Sequence, residues 1–204
     1  MSLFFRIAYG VGFKPWERTA TQPEAAAQIA GLLDREQQAH GTPPGRALDL
    51  GCGTGYWSVQ LASRGWQVTG IDQVPKAVVT ARERAQKAGA DVRILKGDMT
   101  KLRAVGVAAG VDFFWDFGAF HGLAPGERTA VGREVTALAA PHASLLMFAW
   151  LPGRHWPLPR GVDRADIETA FPDWQVTGED AFTREALPPR LKDVAPRWYR
   201  LVRG

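Results

Sequence analysis

The chain has 204 residues, 46% of them hydrophobic and 23% charged, with a formal net charge of +4; this is the balance of a globular domain with one well-buried core, not of a disordered chain. No apolar run approaches the roughly 20 residues of a membrane-spanning helix, and Arg6 interrupts the apolar start (Leu3, Phe4, Phe5, Ile7) with no cleavage-type sequence behind it, which argues against a secretory signal. Cys52 is the only cysteine, so no internal disulfide exists, and the four histidines (His40, His121, His142, His155) lack zinc-site spacing; a reducing, cytoplasmic setting and no metal are expected.

Taken in chain order, Thr21–Gln38 reads as a helix: Thr21 is a candidate cap, Pro23 suits the first turn, and Ile29, Leu32 and Leu33 share a face. The breaker stretch His40–Gly45 ends it. Arg46–Leu50 is a strand, Tyr56–Arg64 a helix stopped at Gly65, Trp66–Ile71 a second strand, and Pro75–Lys87 a helix ended by Gly89. Val92–Lys96 is a third strand, and Val111–Phe117 a fourth, apolar but for its acids, as a strand covered on both faces should be. Gly126–Ala139 is helical and Ser144–Trp150 is the fifth strand. Leu151–Val162 is too rich in Pro, Arg and aromatic residues for a regular element. A short helix, Arg164–Ala170, follows its cap Asp163, and Trp174–Thr177 with Arg197–Val202 form a terminal hairpin. Such alternation of strand and helix predicts a parallel α/β sheet with right-handed crossovers, in a single domain over residues 1–204. The excess charge is local: Arg184–Arg203 holds six basic and two acidic residues, which reads as a solvated basic edge.

In open α/β sheets ligands bind beyond the carboxyl ends of the strands. There the sequence places Asp49-Leu50-Gly51-Cys52-Gly53-Thr54-Gly55, whose three alternating glycines permit a tight turn and close approach of bare backbone to a ligand. Asp72, with Gln73 beside it, ends the second strand, where a carboxylate accepts both hydroxyls of a ribose. Gly97-Asp98-Met99 follows the third strand; Asp98 suits an adenine amino group and Met99 the flank of its ring. A dinucleotide site would share part of this pattern. Here, however, the spacing is Gly-x-Gly-x-Gly, and Asp49 ahead of the turn suits an ammonium better than a pyrophosphate. S-adenosylmethionine (SAM) carries an ammonium, a carboxylate and a ribose. Cys52 reads as filler within the turn.

These residues carry a resemblance. Ala47–Ala62, Gly70–Asp72, Gly97-Asp98 and Val111–Leu123 resemble the first four motifs of class I SAM-dependent methyltransferases, over roughly Arg46–Trp150. Within the fourth, Asp116-Phe117-Gly118-Ala119-Phe120-His121 resembles the Asp-x-Gly-x-Phe-His stretch of bacterial small-molecule methyltransferases, including the mycobacterial heterocyclic-toxin enzymes. The resemblance implies a Rossmann-like α/β fold with seven mostly parallel strands in the order 3-2-1-4-5-7-6 and helices on both faces. It implies an N-terminal helical lid segment over residues 1–45 and a core over 46–204. It also implies SAM as cofactor, S-adenosylhomocysteine (SAH) as product, and transfer to an O, N or S atom of a small aromatic or heterocyclic acceptor.

Methyl transfer is an in-line displacement from an already activated donor, so alignment is the protein's main task. A base is needed only where the acceptor keeps its proton. Asp116 is expected to face the methionine end of SAM, with base catalysis a second role, and His121 is the candidate base because imidazole titrates near neutrality. Tyr9, Phe13 and Trp16 are candidate lid residues, Trp16 against cofactor and acceptor alike. Phe120, His121, His155 and Trp156 are candidate acceptor contacts, loop aromatics favouring a flat apolar ligand. Two alternatives stay open. A nucleic-acid methyltransferase is disfavoured because Asp116-Phe117-Gly118-Ala119 stands where base-nitrogen enzymes often carry Asn/Asp-Pro-Pro-aromatic. A SAM-binding protein without transfer activity would show the same cofactor motifs.

Overall fold

The computed structural model describes residues 22–153, 160–187 and 196–204. Helix α1 (Pro23–His40) precedes strand β1 (Arg46–Leu50), followed by α2 (Tyr56–Ser63), β2 (Gln67–Asp72), α3 (Pro75–Lys87), β3 (Val92–Lys96) and β4 (Val111–Phe117). Then come α4 (Pro125–Leu138), β5 (Ala139–Ala149), α5 (Arg164–Ala170), β6 (Trp174–Ala181) and β7 (Arg197–Arg203). Single 3-10 turns stand at Met99–Lys101, Phe120–Gly122 and Arg184–Ala186.

The seven strands form one sheet in the order β3-β2-β1-β4-β5-β7-β6. The first five pair in parallel; β7 runs antiparallel between β5 and β6. The order reverses between β1 and β4, whose carboxyl ends meet with Leu50 opposite Asp116. One face of the sheet packs on α4 and α5, with Leu48, Phe114, Val131, Val135, Leu145, Ile167 and Leu201 in one core. On the other face Ile29, Leu32 and Leu33 of α1 join Phe113, Trp115, Leu146 and Trp198. Residues 25, 29, 32, 33 and 36 are the buried positions of α1, the helical spacing of one face. The sequence reading put α1 in a lid; the structure makes it a layer of the core, because this apolar stripe finds the bare centre of the sheet.

Two strand boundaries differ from expectation by more than two residues. Strand β5 begins at Ala139, directly after α4, and not at Ser144. Its pairing with β4 shifts between Val111 and Phe113, around Pro141 and the positive-φ His142 (φ 60°). That bulge broke the strand pattern in the sequence. Strand β6 runs on to Ala181 through Gly178, Glu179 and Asp180, which pair with Arg200, Tyr199 and Trp198. It is the sheet's edge, where exposed charges discourage pairing with another chain. The N-cap of α1 is Gln22, with no side-chain bond; Thr21 lies outside the described residues.

Candidate functional site

The turn after β1 is built on three left-handed glycines, Gly51 (φ 65°), Gly53 (φ 54°) and Gly55 (φ 75°). A Cβ on Gly51 would stand 2.5 Å from Ala119 Cβ, and one on Gly55 2.9 Å from Ala81 Cβ. Bare backbone is what lets this turn lie between the loop after β4 and helix α3. Asp72 holds it there: Gly53 N–H donates to its Oδ2 (3.0 Å) and Val74 N–H to its Oδ1 (2.7 Å). Asp49 accepts from Ser58 Oγ on α2 (2.6 Å). Gly97 N–H donates to the Asp72 carbonyl (3.0 Å), and Asp98 accepts from Thr100 N–H and Oγ1 through Oδ1, the only bonds of its carboxylate among the described residues. The three sequence motifs therefore meet at one edge, with Thr54 buried and Gln73 half-buried beside them.

The electrostatics are one-signed. Asp49, Asp72 and Asp116 are 2%, 8% and 0% exposed. Asp49 and Asp116 are pushed up to about 7, chiefly by burial, with the charges of Asp116 and Asp72 contributing at Asp49. Burial raises Asp72 also, against the pull of its backbone N–H partners. No basic side chain pairs with any of the three among the described residues. Buried carboxylates left without a counter-ion are costly. A ligand bringing an ammonium removes that cost, whereas a pyrophosphate would add to it.

Several expected roles fall differently. Asp116 gives both oxygens to its own loop, accepting from the N–H groups of Gly118 (2.8 Å), Ala119 (2.9 Å) and Phe120 (2.9 Å). It shapes the turn after β4, with Oδ1 accepting two of these bonds and Oδ2 one. His121 is 2% exposed, and burial and the nearby Arg128 push its imidazole down to about 3. Its Nδ1 accepts the Trp150 N–H (3.3 Å), which ties the loop after β4 to the end of β5. Phe120 is fully buried and packs on Phe171 (5.4 Å between centroids) in the α4–α5 core, so it is not an acceptor contact. Cys52 turns into a small core with Val78, Ala81 and Ile94, and Met99 is 7% exposed within the main core. Tyr9, Phe13, Trp16, His155 and Trp156 lie outside the described residues.

The same edge holds aromatic residues that the sequence reading did not single out. On the α1 face Trp57 touches Trp115 (5.0 Å) and Phe117 (5.3 Å), and Phe117 touches Phe148 (4.9 Å). Phe148 meets Trp150 (5.7 Å), Phe182 (5.1 Å) and Trp198 (5.3 Å). The signal was the alternation Phe113, Trp115, Phe117 along β4, which puts three rings on one face. A groove of about 620 Å³ lies at the opposite, amino edge, lined by Arg46, Gly65, Trp66 and Arg93. It is remote from the acids and the glycine turn. Among the described residues no group of three or more His, Cys, Asp or Glu is placed to hold a metal, and no helix is long and apolar enough to cross a membrane.

Residues 47–142 match a family model described as a methyltransferase domain. That match spans a little under half of the chain. Over its full length this chain is similar to a structure from work on conversion of a disulfide bond into a thioacetal group during echinomycin biosynthesis, at 24% identity and a TM-score of 0.74, covering 93% of that chain. The 1,6-didemethyltoxoflavin-N1-methyltransferase of Burkholderia thailandensis, solved with its acceptor and SAH, superposes on 98% of this chain and 86% of its own, with a TM-score of 0.73 and 20% identity. By sequence, the ribosomal RNA small subunit methyltransferase C of Alcanivorax borkumensis is 39% identical over 71 residues, which are 34% of this chain and 22% of that one. This chain spans less than a third of the length of the first curated relatives it matches.

Proposed function

We propose that this chain binds SAM at the edge formed by the glycine turn and the ends of β2 and β3, and passes its methyl group to a small, flat acceptor. The observation that carries the reading is the set of three buried carboxylates with no basic partner among the described residues, beside a turn of bare backbone. Asp49 would take the ammonium, Asp72 the ribose hydroxyls and Asp98, through its unengaged Oδ2, the adenine amino group. Thr54, Gln73 and the backbone from Gly51 to Gly55 would line the remainder. When bound, the cofactor supplies a methyl on a sulfonium, and its sulfur leaves uncharged.

The chain's part is binding, orientation and exclusion of water, and alignment alone is worth up to roughly 7–11 kcal/mol of barrier. His121 and Asp116 hold the loops on either side, which gives both a positioning role. Calorimetry with SAM and SAH tests the reading. Micromolar binding of both supports it; no heat from either would exclude it. A SAM-dependent but non-transferring activity is the second reading, favoured by the engaged His121 and Asp116 and by a 40% identity over 63 residues to a SAM-dependent Diels-Alderase of Talaromyces variabilis. Mass spectrometry of acceptor mixtures, looking for the gain of one methyl, separates the two.

A further inference from the structure

The groove at the amino edge of the sheet lies apart from the acids and the glycine turn. Its volume of about 620 Å³ falls within the range of small-molecule sites, roughly 300–1,000 Å³. Four of its polar side chains come from three neighbouring strands. Arg46 on β1 pairs with Gln67 on β2, and Thr69 on β2 pairs with Arg93 on β3. Directly paired residues share a face of the sheet, as do alternate residues of one strand, so the four stand on one side. It is the side of Leu48, which pairs with Thr69 and packs in the α4–α5 core. Both guanidinium groups reach the segment before β4. Arg46 Nη1 donates to the Ala109 carbonyl (2.9 Å) and stands 3.4 Å from where a Cβ on Gly110 would lie. Arg93 Nη2 stands 4.0 Å from the place of a Cβ on Gly106. Strands β1 and β3 are two spacings apart, about 10 Å, so the two long side chains flank Gln67 and Thr69 from either side.

We propose that this groove is a second binding site, and that it takes a nucleotide phosphate, free or within an RNA strand, between Arg46 and Arg93. The assignment stands independently of the cofactor reading. A phosphate monoester carries a charge of about −2 near neutral pH, and two guanidinium forks match it in charge and in geometry. The Gln67 amide and the Thr69 hydroxyl are further donors between them. Val59, Trp66 and Val107 add apolar wall for a base. Some charges oppose an anion here. Helices α2 and α3 end beside the groove, each end bringing about half a negative charge, and Asp91 adds a full one. The surrounding charge outweighs them. Residues 73–110 hold eight basic and three acidic side chains, an excess of five. The residues outside the described ones contain two acids, Glu17 and Asp193, too few to cancel that excess even together. A positive field of this kind draws anions toward the edge before any contact forms.

The test is calorimetry on the whole chain with uridine monophosphate (UMP), whose base differs from that of SAM. UMP should bind with a Kd on the order of 0.1 mM, and uridine at least about tenfold more weakly. Saturating SAH should change the UMP affinity less than about threefold, because the two sites lie at opposite edges. Arg93→Gln, on an exposed side chain of the edge strand, should weaken UMP about tenfold. Thr69→Val, which keeps the side-chain shape, should weaken it about threefold. An oligouridylate of about eight nucleotides separates the two sources of the phosphate. Binding at least about tenfold tighter than UMP, with a steep salt dependence, assigns the groove to an RNA strand; equal binding assigns it to a free nucleotide. Absence of UMP binding, uridine binding as well as UMP, or both variants leaving UMP unchanged would overturn the assignment. Displacement of UMP by SAH would overturn it too, by placing the nucleotide at the glycine turn.

Discussion

Asp49 and Asp116 are both buried acids raised to about 7, yet they are doing different things. Asp116 meets three backbone N–H groups that nothing else satisfies, so Asp116→Ala should destabilise the chain by about 3 kcal/mol or more, read by urea unfolding. Asp49 has one partner, the Ser58 hydroxyl, which an asparagine oxygen also serves. Asp49→Asn should therefore raise the stability of the ligand-free protein by about 1–2 kcal/mol at pH 8 while weakening SAM binding on the order of 100-fold. A destabilised Asp49→Asn with normal SAM affinity would contradict that division of roles. The pH dependence follows with a definite sign. Both carboxyls have folded pKa values above the unfolded value near 4, so between about pH 4 and 7 the folded chain holds protons that the unfolded chain has lost. Stability of the ligand-free protein should thus fall as pH rises through that window and level off above it, and SAM should flatten the trend.

At the scale of elements, close approach decides more than composition does. Helix α4 reaches α5 through Gly132, where a Cβ would run into the Ala170 carbonyl oxygen. The Gly132→Ala variant should force the two helices apart and cost about 2–3 kcal/mol, read by thermal unfolding. Arg128, on the same helix, gathers the surrounding loops: its Nη2 donates to the Gly161 carbonyl (2.7 Å) and more weakly to that of His121 (3.4 Å), and its Nη1 pairs with Asp166 (3.2 Å). The loop after β5 is thereby pinned at its base beside the loop after β4. Nothing in the spacing of Gly132 or Arg128 marked them out, since each acts on a residue more than 30 positions away.

Over the whole molecule, a buried carboxylate on α1 links that helix to strands β5 and β7. Glu36, 2% exposed, accepts from Arg200 Nε (2.5 Å) and Nη2 (3.2 Å) on β7 and from Ser144 Oγ (2.7 Å) on β5. His40 Nε2 shares the same serine hydroxyl (2.8 Å). Arg200 is partly exposed, so removing its partner strands only a half-screened charge. Glu36→Ala should cost about 2–3 kcal/mol and loosen α1, seen as faster amide exchange along that helix. The basic stretch at the end of the sequence is thus not all solvated edge: Arg200 faces Glu36, Arg197 pairs with Glu179 (3.1 Å) and Arg203 reaches the Ala139 carbonyl.

What the residues alone determined is the local chemistry: strand and helix by periodicity, turns by glycine, and an acid at each of the first strand ends, from which the order of motifs and the cofactor class could be read. Those signals survive because backbone conformation and side-chain type act within a few residues of each other. The tertiary structure alone decided which acids keep a free partner, since occupancy of Asp116 and His121 depends on loops folding back on them. It also decided which rings are core and which face the edge. Phe120 and Phe117 are three positions apart and equally apolar; only the packing of two different sheet faces sends one into the interior and leaves the other at the mouth of the site.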